Sequence, residues 1–76
     1  MNKERRKALA RIEEEIEALK DEIESLMDEE AEYRDNIPEN MQGSERYEIA
    51  DAACENMQSA IDSMEEALSC IGEAQA

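Results

Sequence analysis

Two heptad rows of apolar residues constrain this chain more than any other feature of its sequence. Apolar side chains recur at alternating spacings of three and four in both halves of the chain, and such a row lies along one side of an α-helix. The first row comprises Leu9, Ile12, Ile16, Leu19, Ile23 and Leu26, continued by Tyr33 and Ile37; the second comprises Tyr47, Ala50, Cys54, Met57, Ile61, Met64, Leu68 and Ile71. We therefore predict an all-α protein of two amphipathic, coiled-coil-like helices.

The stretch NIPENMQGSERY, residues 36–47, separates the two rows. Pro38 has no amide hydrogen and disfavours a helical conformation at Ile37, so we expect the first helix to end near residue 36. Gly43 relaxes the backbone, and Ser44 can cap the second helix with its side-chain oxygen. The prediction is a single domain over residues 1–76, with helix 1 at about 3–36, a loop at 37–43 and helix 2 at about 44–72. The loop leaves room for a short helical turn within 38–42, with Met41 folded over the end of the core.

A loop this short makes the two helices antiparallel neighbours. The register that we predict pairs Leu9 with Ile71 at one end of the hairpin and Tyr33 with Tyr47 at the other. In this register every apolar position of one row finds a partner in the other.

Glu30 is the one carboxylate on the inner row, and an unpaired buried charge is costly. We expect Arg34 and Arg46 to form ion pairs with it at the loop end of the hairpin. A binding role for Glu30 together with Tyr33 and Tyr47 is the sharper alternative.

Helix 2 carries a second row of small residues, one heptad apart, whereas the flanks of helix 1 are mostly charged. Small side chains let another helix approach closely, and a chain this short commonly needs oligomerisation to close a core. We therefore predict that two hairpins dimerise into a four-helix bundle. The predicted interface residues are Ala53, Ala60, Ala67, Met57, Met64 and Leu68, with Ala74 continuing the alanine row. The candidates for contact with a partner through the loop are Pro38, Met41, Tyr33 and Tyr47.

The chain is strongly acidic, with 22 carboxylates against 8 basic residues and a formal net charge of −14. Such a surface repels nucleic acid and anionic membrane and attracts a basic protein patch. Five of the basic residues nevertheless fall within the first eleven positions: Lys3, Arg5, Arg6, Lys7 and Arg11. We expect Glu66 and Glu73 to neutralise them across the hairpin; a disordered arm and contact with a polyanion are the alternatives.

The sequence offers no constellation for catalysis or metal binding. It contains no histidine, no Cys-x-x-Cys pair, no phosphate-binding glycine loop and no calcium loop. Cys54 and Cys70, about 24 Å apart along one helix, cannot pair within it. We expect no catalytic, cofactor-binding or metal-binding residues, no enzymatic activity and, from two idle thiols and the lack of a secretory or membrane-spanning segment, a cytoplasmic protein.

The run NIPENMQGSERYEIADAACENMQSAIDSMEEAL, residues 36–68, resembles a group of small acidic proteins of bacteria and their mobile elements. In that group a first helix is followed by an Ile-Pro-Glu-Asn loop, a Gln-x-Ser-x-x-Tyr segment and a second helix rich in Ala and Glu. The resemblance implies a helical hairpin and brings no catalytic residue, ligand or partner with it.

Two functions from different classes are compatible with these features. The first is a structural or protein-interaction module, a homodimeric bundle whose exposed faces recruit another protein. The alternative is an acidic mimic of nucleic acid that occupies a DNA- or RNA-binding protein. Its candidate carboxylates are spaced one heptad apart: Glu14, Asp21, Asp28 and Asp35.

Overall fold

The computed structural model describes all 76 residues and shows two long antiparallel helices joined by a short loop. Helix α1 spans Lys3–Asp35, a single 3₁₀ turn spans Glu39–Met41, and helix α2 spans Glu45–Ala74. There are no strands, and the molecule measures 59 × 15 × 13 Å. The predicted all-α helical hairpin is confirmed.

The ends of the helices follow from local hydrogen bonds. Asn2 caps α1, since its Oδ1 accepts the backbone N–H of Arg5 at 2.8 Å. Before Pro38, the N–H of Ile37 donates to the carbonyl of Arg34 at 3.1 Å, which tightens the last turn of α1. Ser44 caps α2, and its Oγ accepts the N–H of Tyr47 at 3.4 Å.

The buried core is small and lies at the loop end and middle of the hairpin. Only four residues are buried, namely Ile37, Ala50, Cys54 and Ile61. Three of them belong to α2 and one to the loop, and α1 has no buried residue at all. The apolar row of α1 therefore rests on α2 without being enclosed by it.

The register differs from the predicted one. Arg34 contacts Asp51 and Lys20 contacts Glu65, whereas the predicted register places Arg46 and Ala60 opposite them. Because helical side chains slope toward the N-terminus of their own helix, part of this five-residue difference reflects tilt. The remainder is a slide of about one step of the apolar row, which brings Met64 beside Leu19 and Ile23 in place of Ile16.

The slide leaves the first residues of α1 beyond the end of α2. The Nε2 of Gln75, just past the end of α2, donates to Glu13 Oε1 at 2.6 Å, so α2 ends near the level of residue 13. Every residue from 1 to 8 is exposed, and half-burial begins at Leu9. The expectation that Glu66 and Glu73 neutralise the basic N-terminus is therefore wrong, because the basic residues project past α2. Their only ion pair lies within α1, between Arg11 and Glu15 at 3.0 Å.

Ile37 is 6% exposed although it lies in the loop, and it closes the core at the turn. We predict that Ile37→Ala lowers the free energy of unfolding by about 2 kcal/mol, through lost burial and the cavity left behind. Ile49→Ala is the matched control, because Ile49 is 62% exposed and its truncation removes little buried area. Urea unfolding followed by circular dichroism measures both. Equal losses in the two variants would contradict the central place of Ile37 in the core.

Candidate protein-interaction face

Polar pairs close one side of the hairpin, which we call the bridged side. Three such pairs cross from α1 to α2 or the residue just after it: Glu13 with Gln75 at 2.6 Å, Lys20 with Glu65 at 3.7 Å, and Arg34 with Asp51 at 2.9 Å. They are spread along the length of the interface. Each joins long side chains over the apolar rows and shields those rows from water on this side.

Lys20 lies at the middle of the bridged side, with a side chain only 15% exposed. Partial burial works against its charged form, but neighbouring carboxylates outweigh that effect and raise the pKa of Lys20 above its ordinary value. Those carboxylates belong to Glu17, Glu65 and Glu24. Lys20 therefore stays protonated and neutralises part of a crowded acidic surface.

Arg34 has the same function nearer the loop. Its Nε donates to Asp35 at 3.0 Å, and its Nη1 donates to Asp51 at 2.9 Å. The hydrogen bond that Arg34 donates to Asp35 is the largest influence raising the pKa of Arg34, and the bond that it donates to Asp51 adds to it. The expected ion pairs of Glu30 are wrong, because Arg34 is engaged by these two aspartates and Arg46 bonds to a tyrosine.

The opposite side of the hairpin, which we call the open face, is apolar and uncovered. It consists of Leu19, Leu26 and Tyr33 on α1 and of Met57 and Met64 on α2. Leu19 is 50% and Leu26 56% exposed, although both belong to the main apolar row. Two shallow depressions share Leu26 and run along this face, with volumes of about 520 and 420 Å³.

Helix geometry explains why one side is bridged and the other open. Successive residues of an α-helix are about 100° apart around its axis. Leu19 immediately precedes Lys20, and Tyr33 immediately precedes Arg34, so the exposed row and the bridging row flank the line of contact from opposite sides. On α2 the same relation holds between Met64 and Glu65. The side chains on the contact line itself are half-buried or buried.

The rims of the open face differ in chemistry. Ala60 and Ala67 lie one turn before and after Met64 on α2, and both are exposed. Glu22 and Glu29 line the depressions from the α1 side. A partner helix can therefore approach the alanine rim closely, while the glutamate rim stays hydrated.

The residues predicted for the dimer interface fall into two groups. Met57, Met64, Leu68 and Ala53 are half-buried against α1, whereas Ala60 and Ala67 are exposed. The sequence interpretation missed Leu19 and Leu26, which are the most exposed large residues of the α1 row. Lys20, which follows Leu19 and pairs with an acidic residue of α2, was the available signal that Leu19 lies on the uncovered side. This signal can be recognised only when the register of the two helices is known.

The loop candidates come together only in part. Tyr33, Pro38 and Met41 line a depression of about 230 Å³ beside the turn, whereas Tyr47 is half-buried elsewhere. The Nε of Arg46 donates to the hydroxyl of Tyr33 at 3.0 Å, and its guanidinium carbon lies 5.6 Å from the ring centroid. The pair fixes the tyrosine ring at the end of the open face.

No chemical centre accompanies these surfaces. No group of three or more His, Cys, Asp or Glu residues is arranged to hold a metal ion. Cys54 is buried and Cys70 exposed, and both are free thiols. Neither helix combines the length and the apolar character needed to cross a membrane.

Comparison with known proteins found no matching family model, no similar curated protein and no similar solved structure. The resemblance of residues 36–68 to small acidic hairpin proteins therefore stays a prediction. Function has to be argued from the geometry of the two sides of the hairpin.

Because the pKa of Lys20 is raised, the stability that its charge contributes changes only when the pH becomes strongly alkaline. Charged Lys20 stabilises the folded state fully below the ordinary lysine pKa of about 10.4, and the stabilisation is lost as the pH rises through the higher folded-state value. We predict that Lys20→Gln lowers the Tm by a few degrees at pH 8 and that this deficit shrinks above pH 11.

Lys20→Arg is the matched control, because arginine keeps a positive charge beside Glu17 and Glu65 at both pH values, so that variant should match the wild type at pH 8 and at pH 11.5. Thermal unfolding by circular dichroism measures all three proteins. A deficit of Lys20→Gln that persisted at pH 11.5 would show that packing, not charge, is responsible.

Proposed function

We propose that the protein is a non-enzymatic interaction module that works as a homodimer, in which the open faces of two hairpins pack together as a four-helix bundle. The half-exposed Leu19 and Leu26, in the middle of the main apolar row of α1, carry this proposal. Isolated exposed apolar residues are ordinary on protein surfaces, but a continuous apolar strip rimmed by polar residues marks a contact surface.

The small core supports the same proposal. With four buried residues in 76, the single hairpin encloses little of its apolar surface. Chains of this size without disulfides or metals commonly reach stability through oligomerisation. Covering the leucines and methionines of the open face supplies the missing burial at about 25 cal/mol per Å² of apolar area.

The face also has the shape that a second helix pair needs. The exposed Ala60 and Ala67 offer no bulk that would hold a partner away, and the depressions between Leu26 and the two methionines accept side chains from a facing helix. Such interdigitation is the usual packing of helical bundles. The remaining outer faces are acidic, and they suit recruitment of a protein with a basic patch.

The reducing cytoplasm is the compartment that we propose, because two free thiols that do not pair with each other persist there without oxidation.

Leu26→Glu tests the dimer. We predict that the wild type sediments as two chains and that Leu26→Glu sediments as one, because the substitution places a carboxylate in the centre of the proposed interface. Since Leu26 is 56% exposed in the hairpin, the substitution disturbs the contact between α1 and α2 little. Analytical ultracentrifugation over a range of concentrations gives the mass.

Ser69→Glu is the matched control, because it adds the same charge at an exposed residue of α2 that lies five helical turns after Asp51 and therefore on the bridged side. It should remain dimeric. A helical wild type that stayed monomeric at high micromolar concentration would overturn the proposal, as would an equal loss of dimer in both variants.

One observation favours the nucleic-acid mimic as the second candidate. Glu14, Asp21 and Asp28 are exposed and form no ion pair, so this row of carboxylates on α1 is free to meet a basic groove. Their spacing of about 10.5 Å along the helix is wider than that of successive phosphates in DNA, which makes the match coarse.

For this candidate we predict that the protein captures nucleic-acid-binding proteins from a lysate at 50 mM salt and releases them at 500 mM, since exposed charges are screened within about 8 Å at physiological ionic strength. A variant with Glu14, Asp21 and Asp28 changed to the amides is the control and should capture less. Equal capture by both proteins would remove the mimic.

A further inference from the structure

The basic N-terminus of α1 is a helical extension without a partner in its own chain. Lys3 to Ala8 form the first turns of α1, are capped by Asn2 and are exposed throughout. Basic residues near a helix N-terminus are disfavoured by the helix dipole, and nothing in the hairpin compensates them. Residues 1–11 contain five basic residues and one glutamate, which gives this segment a net charge of +4.

The loop end has the opposite character. The segment from Asp28 to Asp51 contains nine carboxylates and two arginines, which gives it a net charge of −7. Both arginines are already engaged, Arg34 with Asp35 and Asp51 and Arg46 with Tyr33. Seven carboxylates at this end have no ion pair, namely Asp28, Glu29, Glu30, Glu32, Glu39, Glu45 and Glu48.

We infer that the second copy lies on the open face antiparallel to the first, so that the basic extension Lys3–Lys7 of each copy meets the acidic loop end of the other. This inference rests on the proposed dimer and adds its orientation and its electrostatic contact. A two-fold axis can relate the hairpins with their loops at the same end or at opposite ends. The first arrangement places the two acidic loop ends together. The second places the basic extension of each copy beside the acidic loop end of the other.

The lengths agree with the second arrangement. With a two-fold axis between Leu19 and Leu26, at the centre of the larger depression, residues 3–7 lie about 23–29 Å from the axis at the helical rise of about 1.5 Å per residue. On the other side Asp35 lies about 19 Å from the axis, and the loop extends from there to about 27 Å, the end of the 59 Å molecule. The extension past α2 is therefore long enough to reach the loop of the other copy. The same extension has no such neighbour when the loops share an end.

A distance between loop labels decides the orientation. Gly43 has nothing within 4 Å of a built Cβ, so Gly43→Cys accepts a spin label without disturbing its surroundings. The labelled protein also carries Cys54→Ala and Cys70→Ser, with helicity and dimer mass checked against the wild type. In the dimer, pulsed electron paramagnetic resonance should give a label separation above roughly 40 Å, because the loops lie at opposite ends of a molecule 59 Å long.

Loops at the same end would give a separation of about 25 Å or less, since each hairpin is 15 Å wide. A dimer with that short distance overturns the orientation and leaves the proposed function standing. A monomeric mass overturns both.

Charge changes test the contact itself. Arg5→Gln with Arg6→Gln should raise the dimer Kd about tenfold at 50 mM salt and much less at 500 mM salt. Ser59→Glu with Ser69→Glu is the control, because it changes the net charge by the same amount at exposed positions of α2 away from the open face. An equal change in Kd from both pairs would overturn the contact, since net repulsion alone would then account for it.

Discussion

The cross-helix polar pairs on one side of the hairpin distinguish the side on which the apolar rows are covered from the side on which they are exposed. The pairs of Glu13 with Gln75, Lys20 with Glu65 and Arg34 with Asp51 all form at one axial position and one rotation of α1 on α2. That rotation turns the Leu19 and Leu26 side of the apolar row away from α2. The exposed apolar face is therefore the geometric complement of the bridged one, and neither can be explained without the other.

Local features of the sequence predicted the fold well. The heptad rows give two helices, Pro38 ends the first, and Ser44 caps the second, because each of these depends on a few neighbouring residues only. The register failed for the opposite reason. Apolar rows match apolar rows at several offsets, so they discriminate poorly, and the polar pairs that do discriminate are recognisable only once the offset is known.

The candidate site was predictable in composition and not in position. Met57, Met64 and the alanines identify the α2 side, but the α1 side depends on which flank of the row faces water, and this is a property of the packed pair. The charge distribution was visible in the sequence from the start. The structure changes its meaning, because Lys3, Arg5, Arg6 and Lys7 lie beyond the end of α2, where the carboxylates of α2 cannot neutralise them.

All four buried residues lie in the loop or between residues 50 and 61 of α2, whereas the first eight residues of α1 are exposed. The hairpin is therefore tightly packed near the loop and loosely packed at the end that carries the two termini. The two chain termini lie together at the loosely packed end. A force applied to them therefore breaks the weakest interhelical contacts first and separates the helices progressively toward the loop. Fluctuations follow the same order, so hydrogen exchange should be fastest in the terminal turns and slowest around the turn-proximal part of α2.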